Sequence, residues 1–374
     1  MAGLYLHIPF CKKACYYCNF HFSTNQKHKQ DFIKALCKEL QLRAKELKSA
    51  QLESIYFGGG TPSLLTLEDL NTIFQTIDTY YKVEPDAEIT LEANPDDLTL
   101  KKIQSFASTA INRLSIGIQS FFDEDLQYMN RAHSAKEARR CIEIAMPYFD
   151  NITIDLLYGM PQMSNRRWKE NLQIAFDLQL NHLSCYALTV EPKTALEHFI
   201  KTAQHPPMDD AVAAAHFQIL MEETSSAGFT HYEVCSFGKP NYFSIHNSNY
   251  WLGKPYLGIG PSAHSFDGKK RLWNVSNNVV YIKALAEEKL PLTEEILTLE
   301  NRFNEYLMTG LRTIWGVSLA HIEKEFGQTF QIELLKNAQK HVNAQNLVID
   351  DDVLKTTAKG KFLCDGIAAD LFFI

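Results

Sequence analysis

The alternation of short apolar runs with longer helical patterns constrains this chain most. Residues 4–8, 54–57, 88–92, 113–118, 151–157 and 182–188 have the length and apolar character of strands. Between them, residues 29–48, 67–80, 100–108, 135–146 and 168–177 carry a helical period. Strands that each feed a helix must pair in parallel through right-handed crossovers. The fold class is therefore α/β, either a barrel or a doubly wound sheet, and neither a β-sandwich nor a helix bundle. The pattern occupies a first unit, residues 1–290. Residues 291–374 read differently: helical runs at 299–311, 319–326 and 332–343, then a hairpin of 347–349 and 353–356 around Asp350-Asp351-Asp352. This second unit is small, mostly helical and winged-helix-like. The mixed charge of its helices points to packing or a partner rather than nucleic acid.

With 374 residues, 45% of them hydrophobic and 22% charged, the chain buries a substantial core. A formal charge of −7 leaves no cationic excess for phosphates, which argues against nucleic-acid binding. No apolar run approaches the roughly 18 residues of a membrane span. Residues 1–11 lack the pattern of a secretion signal, so a cytoplasmic location is expected.

The polar residues that suggest chemistry fall just past the strand ends. Cys11, Cys15 and Cys18 follow the first, Gly58-Gly59-Gly60-Thr61-Pro62 the second, Glu92 and Asn94 the third, Gln119 the fourth and Tyr158-Gly159-Met160-Pro161 the fifth. In a (β/α) barrel these loops meet on one face, so one composite site is expected. Three thiols within eight residues suit a soft metal centre. Zinc would need a fourth ligand, for which His21 is the candidate, whereas a four-iron cube held by three cysteines keeps one iron open. The remaining Cys37, Cys141, Cys185, Cys235 and Cys364 read as buried thiols. Three successive glycines permit either a tight turn or close backbone approach to a ligand.

Cys-x3-Cys-x2-Cys after the first strand, with Gly-Gly-Gly-Thr-Pro after the second, resembles the radical S-adenosylmethionine (SAM) superfamily. The resemblance implies a partial (β/α)6 barrel. It also implies a [4Fe-4S] cluster on Cys11, Cys15 and Cys18, with SAM at the open iron as the source of a 5′-deoxyadenosyl radical. By the same resemblance Tyr5, Tyr17, Gly59, Gly60, Thr61, Glu92, Gln119, Arg131, Asp155, Ala187 and His264 line the SAM pocket. Asp155 and Gln119 fall to the ribose or the sulfonium tail and Tyr17 to the adenine, while His7 and Pro9 shape the loop.

Further motifs resemble the family of oxygen-independent coproporphyrinogen dehydrogenase: Tyr5-Leu6-His7-Ile8-Pro9-Phe10-Cys11, Glu92-Ala93-Asn94-Pro95, Ile116-Gly117-Ile118-Gln119-Ser120-Phe121 and Asp155-Leu156-Leu157-Tyr158-Gly159-Met160-Pro161. Gly310-Leu311-Arg312-Thr313 extends the likeness into the second unit. Two departures put the dehydrogenase reaction itself in question. Phe20 stands where that enzyme has a fourth cysteine, and only about ten residues precede Cys11. The HemW haem chaperones are more similar, through His246-Asn247-Ser248-Asn249-Tyr250-Trp251. That likeness implies haem as ligand, His246 as a candidate axial ligand, and a haem-acceptor protein such as a respiratory membrane enzyme. Porphyrinogen decarboxylation is the alternative activity. The run Lys269-Lys270-Arg271 is either a docking patch or a solvated turn.

Overall fold

The computed structural model describes residues 1–47 and 51–374. Six parallel strands form the centre of the first unit: β1 (Ala2–Ile8), β2 (Leu52–Gly59), β3 (Val83–Ala93), β4 (Arg113–Gln119), β5 (Asn151–Tyr158) and β6 (His182–Ala187). The helices between them are α1 (Lys29–Arg43), α2 (Leu67–Tyr80), α3 (Leu100–Ala107), α4 (Asp123–Tyr128), α5 (Ala135–Ala145) and α6 (Asn165–Asp177). The helix expected to reach residue 48 ends at Arg43, and Lys48 lies outside the described residues. Local chemistry fixes several helix starts. Thr66 with Asp69 and Ser134 with Glu137 form capping boxes, each satisfying two backbone N–H groups at the entrance of α2 and α5.

Beyond β6 the chain adds elements the sequence reading left undivided: α7 (Ala195–Lys201), α8 (Asp210–Ser226), β7 (Thr230–Glu233), β8 (Ser236–Gly238) and α9 (Ile245–Trp251). Then come β9 (Tyr256–Ile259), β10 (His264–Phe266), β11 (Lys270–Asn274), α10 (Asn278–Ala286) and β12 (Leu292–Ile296). All twelve strands join one sheet, ordered β12-β11-β10-β9-β1-β2-β3-β4-β5-β6-β8-β7. β9 pairs in parallel with β1, so seven parallel strands lie side by side. The sheet is open, with β12 and β7 as its edges.

Register determines what faces the interior. Tyr5 lies opposite Tyr56, Tyr56 opposite Thr90, Glu92 opposite Ser115, Ser115 opposite Thr153, and Asp155 opposite Ser184. Alternate residues of a strand share a face, so Tyr5, Tyr56, Glu92, Ser115 and Asp155 all belong to one side. The opposite side, with Leu4, Leu6, Ile55, Phe57, Leu91, Leu114 and Ile154, is fully buried beneath the helices.

A buried polar knot ties the added strands to α1. The Arg43 guanidinium donates to Glu39 (2.9 Å), to the Gly258 carbonyl (2.8 Å) and to Ser265 (3.0 Å). Glu39 in turn accepts from the Gly260 amide (2.8 Å), the Tyr281 hydroxyl (2.6 Å) and Asn274 (2.8 Å). Arg43 has a second acceptor in Glu46 (2.9 and 2.8 Å), so loss of Glu39 would chiefly strand the buried Gly260, Tyr281 and Asn274 donors; breaking such a buried charged network from one side costs about 3–5 kcal/mol.

The second unit has its own core of Phe303, Leu307, Leu311, Val317, Ile322, Leu334 and Leu354, among others. Its strands β13 (Val317–Ser318), β14 (Leu347–Asp350) and β15 (Val353–Thr356) form a separate three-stranded sheet. Asp351 and Asp352 both adopt positive φ (45° and 64°), the geometry a two-residue hairpin requires. The helices span Leu299–Leu311, Leu319–Phe326, Gln328–Asn343 and Cys364–Asp370, and Gly327 at φ 98° separates the second from the third. Among the described residues no helix is long and apolar enough to cross a membrane.

Replacing Glu39 with Ala is expected to lower unfolding stability by about 3–5 kcal/mol, read as a drop in the urea midpoint. A midpoint unchanged from wild type would show that the knot is dispensable.

Candidate functional site

The cysteine loop starts where β1 ends and is held from every side. The Cys11 amide donates to the Ser23 carbonyl (3.0 Å), and Asn130, itself in the left-handed region (φ 59°), donates to the Ala14 carbonyl (2.8 Å). The Leu196 amide donates to the Tyr16 carbonyl (2.8 Å) and Asn19 to Glu191 (2.8 Å), while Lys12 pairs with Asp96 and Asp97. His7 does shape the loop: its Nε2–H reaches the His21 carbonyl (2.9 Å), leaving Nδ1 to accept from Tyr5 (3.1 Å). Burial keeps His7 neutral, with its pKa pushed down to about 4.

The three glycines lie under this loop, and what each must clear is protein. A Cβ on Gly58 would come within 2.9 Å of the Tyr5 and Tyr56 rings, and one on Gly59 (φ 107°) within 2.6 Å of the His7 ring. On Gly60 it would meet the Phe10 and Ile8 carbonyls at 2.7 and 2.8 Å. The run thus serves first to let two strand ends touch.

Cys11, Cys15 and Cys18 border one cavity of about 510 Å³ at the C-terminal ends of the parallel strands. Tyr17, Gly59, Gly60, Thr61, Glu92, Gln119, Arg131, Asp155 and Ala187 line the same cavity. Arg131 Nη1 donates to the Cys15 sulfur (3.3 Å), and Nη2 donates to Asn94 (2.8 Å) and to the Gly117 carbonyl (2.6 Å). The Thr61 hydroxyl donates to the Cys11 sulfur (3.3 Å). Gln119 sits at φ 68°, a strained conformation for a residue with a Cβ and one that recurs at functional sites.

Glu92 accepts from the Tyr56 hydroxyl (2.9 Å) and the Gly59 amide (3.2 Å). Burial, with Asp155 nearby, raises its pKa to about 7. Burial likewise raises Asp155 to about 6, against the pull of Ser184, Arg113 and Arg131. Desolvation lifts the Cys11 thiol to about 11 and also raises Cys18.

Four sequence expectations need correction. Tyr5 does not line the cavity; it lies behind Gly58, with its ring stacked on Tyr56 at 6.2 Å between centroids. His264 also lies outside the cavity lining, at the start of β10 against Trp273 (5.9 Å). His246 is 3% exposed, wedged in the sheet interior between Ser54 (Nδ1 to Oγ, 2.9 Å) and the Tyr56 ring (5.0 Å). It therefore offers no face to a macrocycle as folded. Cys37 and Cys235 are half-buried, whereas Cys141, Cys185 and Cys364 are buried as expected. The basic run is a paired turn: Lys270 meets Glu294 and Arg271 meets Glu305, both at 2.9 Å.

Sequence reasoning placed Asn94 among the polar residues past β3 without giving it a role, and missed Arg113 altogether. Asn94 links Arg131 to Thr61, donating to Thr61 at 3.2 Å; its place two residues beyond Glu92, on the same strand face, was the available signal. Arg113 is 1% exposed beneath Asp155, and an arginine opening an apolar strand gave no hint of that.

The donor set discriminates between metals. Among the described residues no three His, Cys, Asp or Glu converge closely enough for a single ion, and His21 Nε2 is engaged by Asn278 (2.7 Å). The fourth ligand that zinc would need, His21, thus has its Nε2 tied to Asn278. Three thiols spread around one cavity, with Arg131 and Thr61 donating to sulfur, fit a larger cluster that carries negative charge.

An open sheet of parallel strands with a three-thiol loop at its C-terminal mouth defines the radical SAM class, and the Radical SAM superfamily profile matches residues 5–175. The HemN C-terminal domain profile matches residues 297–363. The chain belongs to the HemW heme chaperone family. It is 31% identical over 370 residues to the heme chaperone HemW of Bacillus subtilis, covering 97% of each chain. With HemW of Synechocystis it shares 33% over 333 residues, covering 85% of this chain and 79% of that one. The solved structure of coproporphyrinogen III oxidase (HemN) from Escherichia coli has the same fold, with a TM-score of 0.87 at 24% identity over 99% of this chain and 90% of that chain. Membership of the radical SAM superfamily implies a [4Fe-4S] cluster and SAM.

Gly60→Ala is expected to push the cysteine loop off β2 and sharply lower the iron and sulfide retained after anaerobic reconstitution. A wild-type complement would contradict the packing argument. For Glu92, folding holds a proton that the unfolded carboxyl, near 4.5, releases; stability on this account falls as pH rises from there to about 7. Glu92→Gln should therefore raise the urea midpoint of cluster-free protein at about pH 8 and change it little at about pH 4. Equal gains at both values would refute the assignment.

Proposed function

We propose that the chain is a cytoplasmic haem chaperone that binds a [4Fe-4S] cluster, SAM and haem and passes haem to an acceptor protein. The near end-to-end likeness to HemW heme chaperones carries this reading. Cys11, Cys15 and Cys18 would hold the cluster, with Arg131 and Thr61 donating to two of the sulfurs. A bound cluster supplies an open iron and an electron. Glu92 and the Gly59–Gly60 backbone would receive the SAM ammonium and Arg131 its carboxylate, while Asp155 and Gln119 take the ribose and Tyr17 and Ala187 flank the adenine. Ionised Glu92 favours a cationic ligand, so SAM affinity should rise as pH passes through about 7.

The acceptor belongs to this proposal too, with a haem-dependent respiratory membrane enzyme as the candidate. So does the division of the chain near residue 290, where β12 still joins the large sheet and the second core begins at Phe303.

Two measurements test the reading. Cys15→Ala should lose most of its iron and sulfide after reconstitution, and a full complement would refute the cluster assignment. Haem-loaded protein mixed anaerobically with a haem-free respiratory cytochrome should move the Soret absorbance to the acceptor. Retention of haem, together with conversion of coproporphyrinogen III to protoporphyrinogen IX, would replace the chaperone by the dehydrogenase.

A further inference from the structure

We infer that haem docks beside the cavity on the inner face of β10 and β11, next to the part of β9 that Tyr250 covers (4.0 Å from Tyr256), with His264 as an iron ligand. This inference rests on the chaperone reading and gives its haem a place.

The strand register supplies the first argument. The face that carries Glu92 and Tyr56 continues through Tyr5, opposite Gly258 on β9. On β9 it includes Tyr256, which lies opposite Phe266 of β10. Phe266 lies opposite Arg271, and His264, two residues away on the same face, lies opposite Trp273. His264 therefore shares a sheet face with the SAM-pocket carboxylates. It also shares their end: β9 runs parallel to β1, and the turn after Ile259 returns the chain into β10 at the end where the cysteine loop begins. Two strand spacings, about 10 Å, separate β10 from β1.

Side-chain chemistry supplies the second argument. The His264 imidazole is exposed and has no hydrogen-bond partner among the described residues, so a nitrogen lone pair is available to iron. It stacks on Trp273 at 5.9 Å with 27° between the planes, which orients the imidazole and would bring the indole edge, not its face, against a porphyrin bound through the histidine nitrogen. Arg271, on the same face, supplies a cation for a propionate, already held by Glu305 at 2.9 Å. His246 has neither the exposure nor an open approach: it lies on the same sheet face but under Tyr56, next to Gly3 and Ser54 near the strands' N-terminal ends.

The test is anaerobic haem titration of cluster-reconstituted wild type, His264→Ala and His246→Ala, followed by Soret absorbance and low-temperature electron paramagnetic resonance of the ferric form. Cluster absorbance in each variant reports the integrity of the fold. Wild type should bind haem. His264→Ala, with its cluster intact, should lose the wild-type Soret position and spin state, and added imidazole should restore them. Wild-type spectra and affinity in His264→Ala would overturn this inference while leaving the chaperone reading in place. Loss of haem ligation only in His246→Ala with an intact cluster would do the same. A wild type that binds no haem would overturn both.

Discussion

The contact between the end of β1 and the glycine run of β2 controls the site. Gly58 and Gly59 at the end of β2 and Gly60 just beyond it have no room for a methyl group, because the His7 ring, the Tyr5 ring and the backbone from Ile8 to Phe10 occupy that space. The loop bearing the thiols grows directly out of this contact, so the position of Cys11 is set by van der Waals exclusion before any metal arrives. Such packing is stiff because interiors are as dense as organic crystals. A soft loop would leave three thiolates to find one another against mutual repulsion. Here the repulsion is met by an arginine fixed to Asn94 and to a strand carbonyl.

The same rigidity explains the carboxylates. Glu92 and Asp155 project into a space shielded by the sheet and the loop, and both hold protons to unusually high pH. Taken alone the arrangement is destabilising, since burial disfavours the ionised forms more than Arg113 and Arg131 favour that of Asp155. It becomes useful when a ligand brings positive charge in an ammonium and a sulfonium. The chain thus retains an electrostatic cost in the empty pocket that a cationic ligand offsets, the usual relation between stability and function at a preorganised site.

Much of this was legible in the sequence because it is local. Strand-helix alternation, the 3-2 cysteine spacing and the polar residues past strand ends are short-range patterns, and the structure gathers nine of the eleven expected SAM-pocket residues with the cysteines around one cavity. The failures share a cause. Tyr5 and His246 are polar aromatic residues in good motifs, but whether such a side chain faces a ligand or supports a neighbour depends on strand register, which is a tertiary property. Arg113 and the Glu39–Arg43 knot were invisible for the same reason: their partners lie far away in sequence, up to 242 residues in the case of Glu39 and Tyr281. The strands after β6 were missed because three to five residues carry too few positions to show a period, and the 17-residue α8 because its small apolar residues are not confined to the face that buries His216, Phe217 and Leu220.

That hidden knot bears on function as well as on stability. β9 to β11 have short hydrogen-bonded ladders, and β10 meets β9 through a single paired position, Phe266 with Tyr256. Such strands would have little independent reason to hold their angle to β1. Arg43 and Glu39 supply it by gripping Gly258, Gly260, Ser265 and Asn274 from beneath, on the side of the sheet away from His264 and Trp273. Buried ionic groups of this kind contribute little net stability compared with apolar packing, but they tolerate few alternative geometries. The fold therefore fixes the wall beside the cavity through its hidden face, while on the other face the His264 imidazole stays exposed against Trp273.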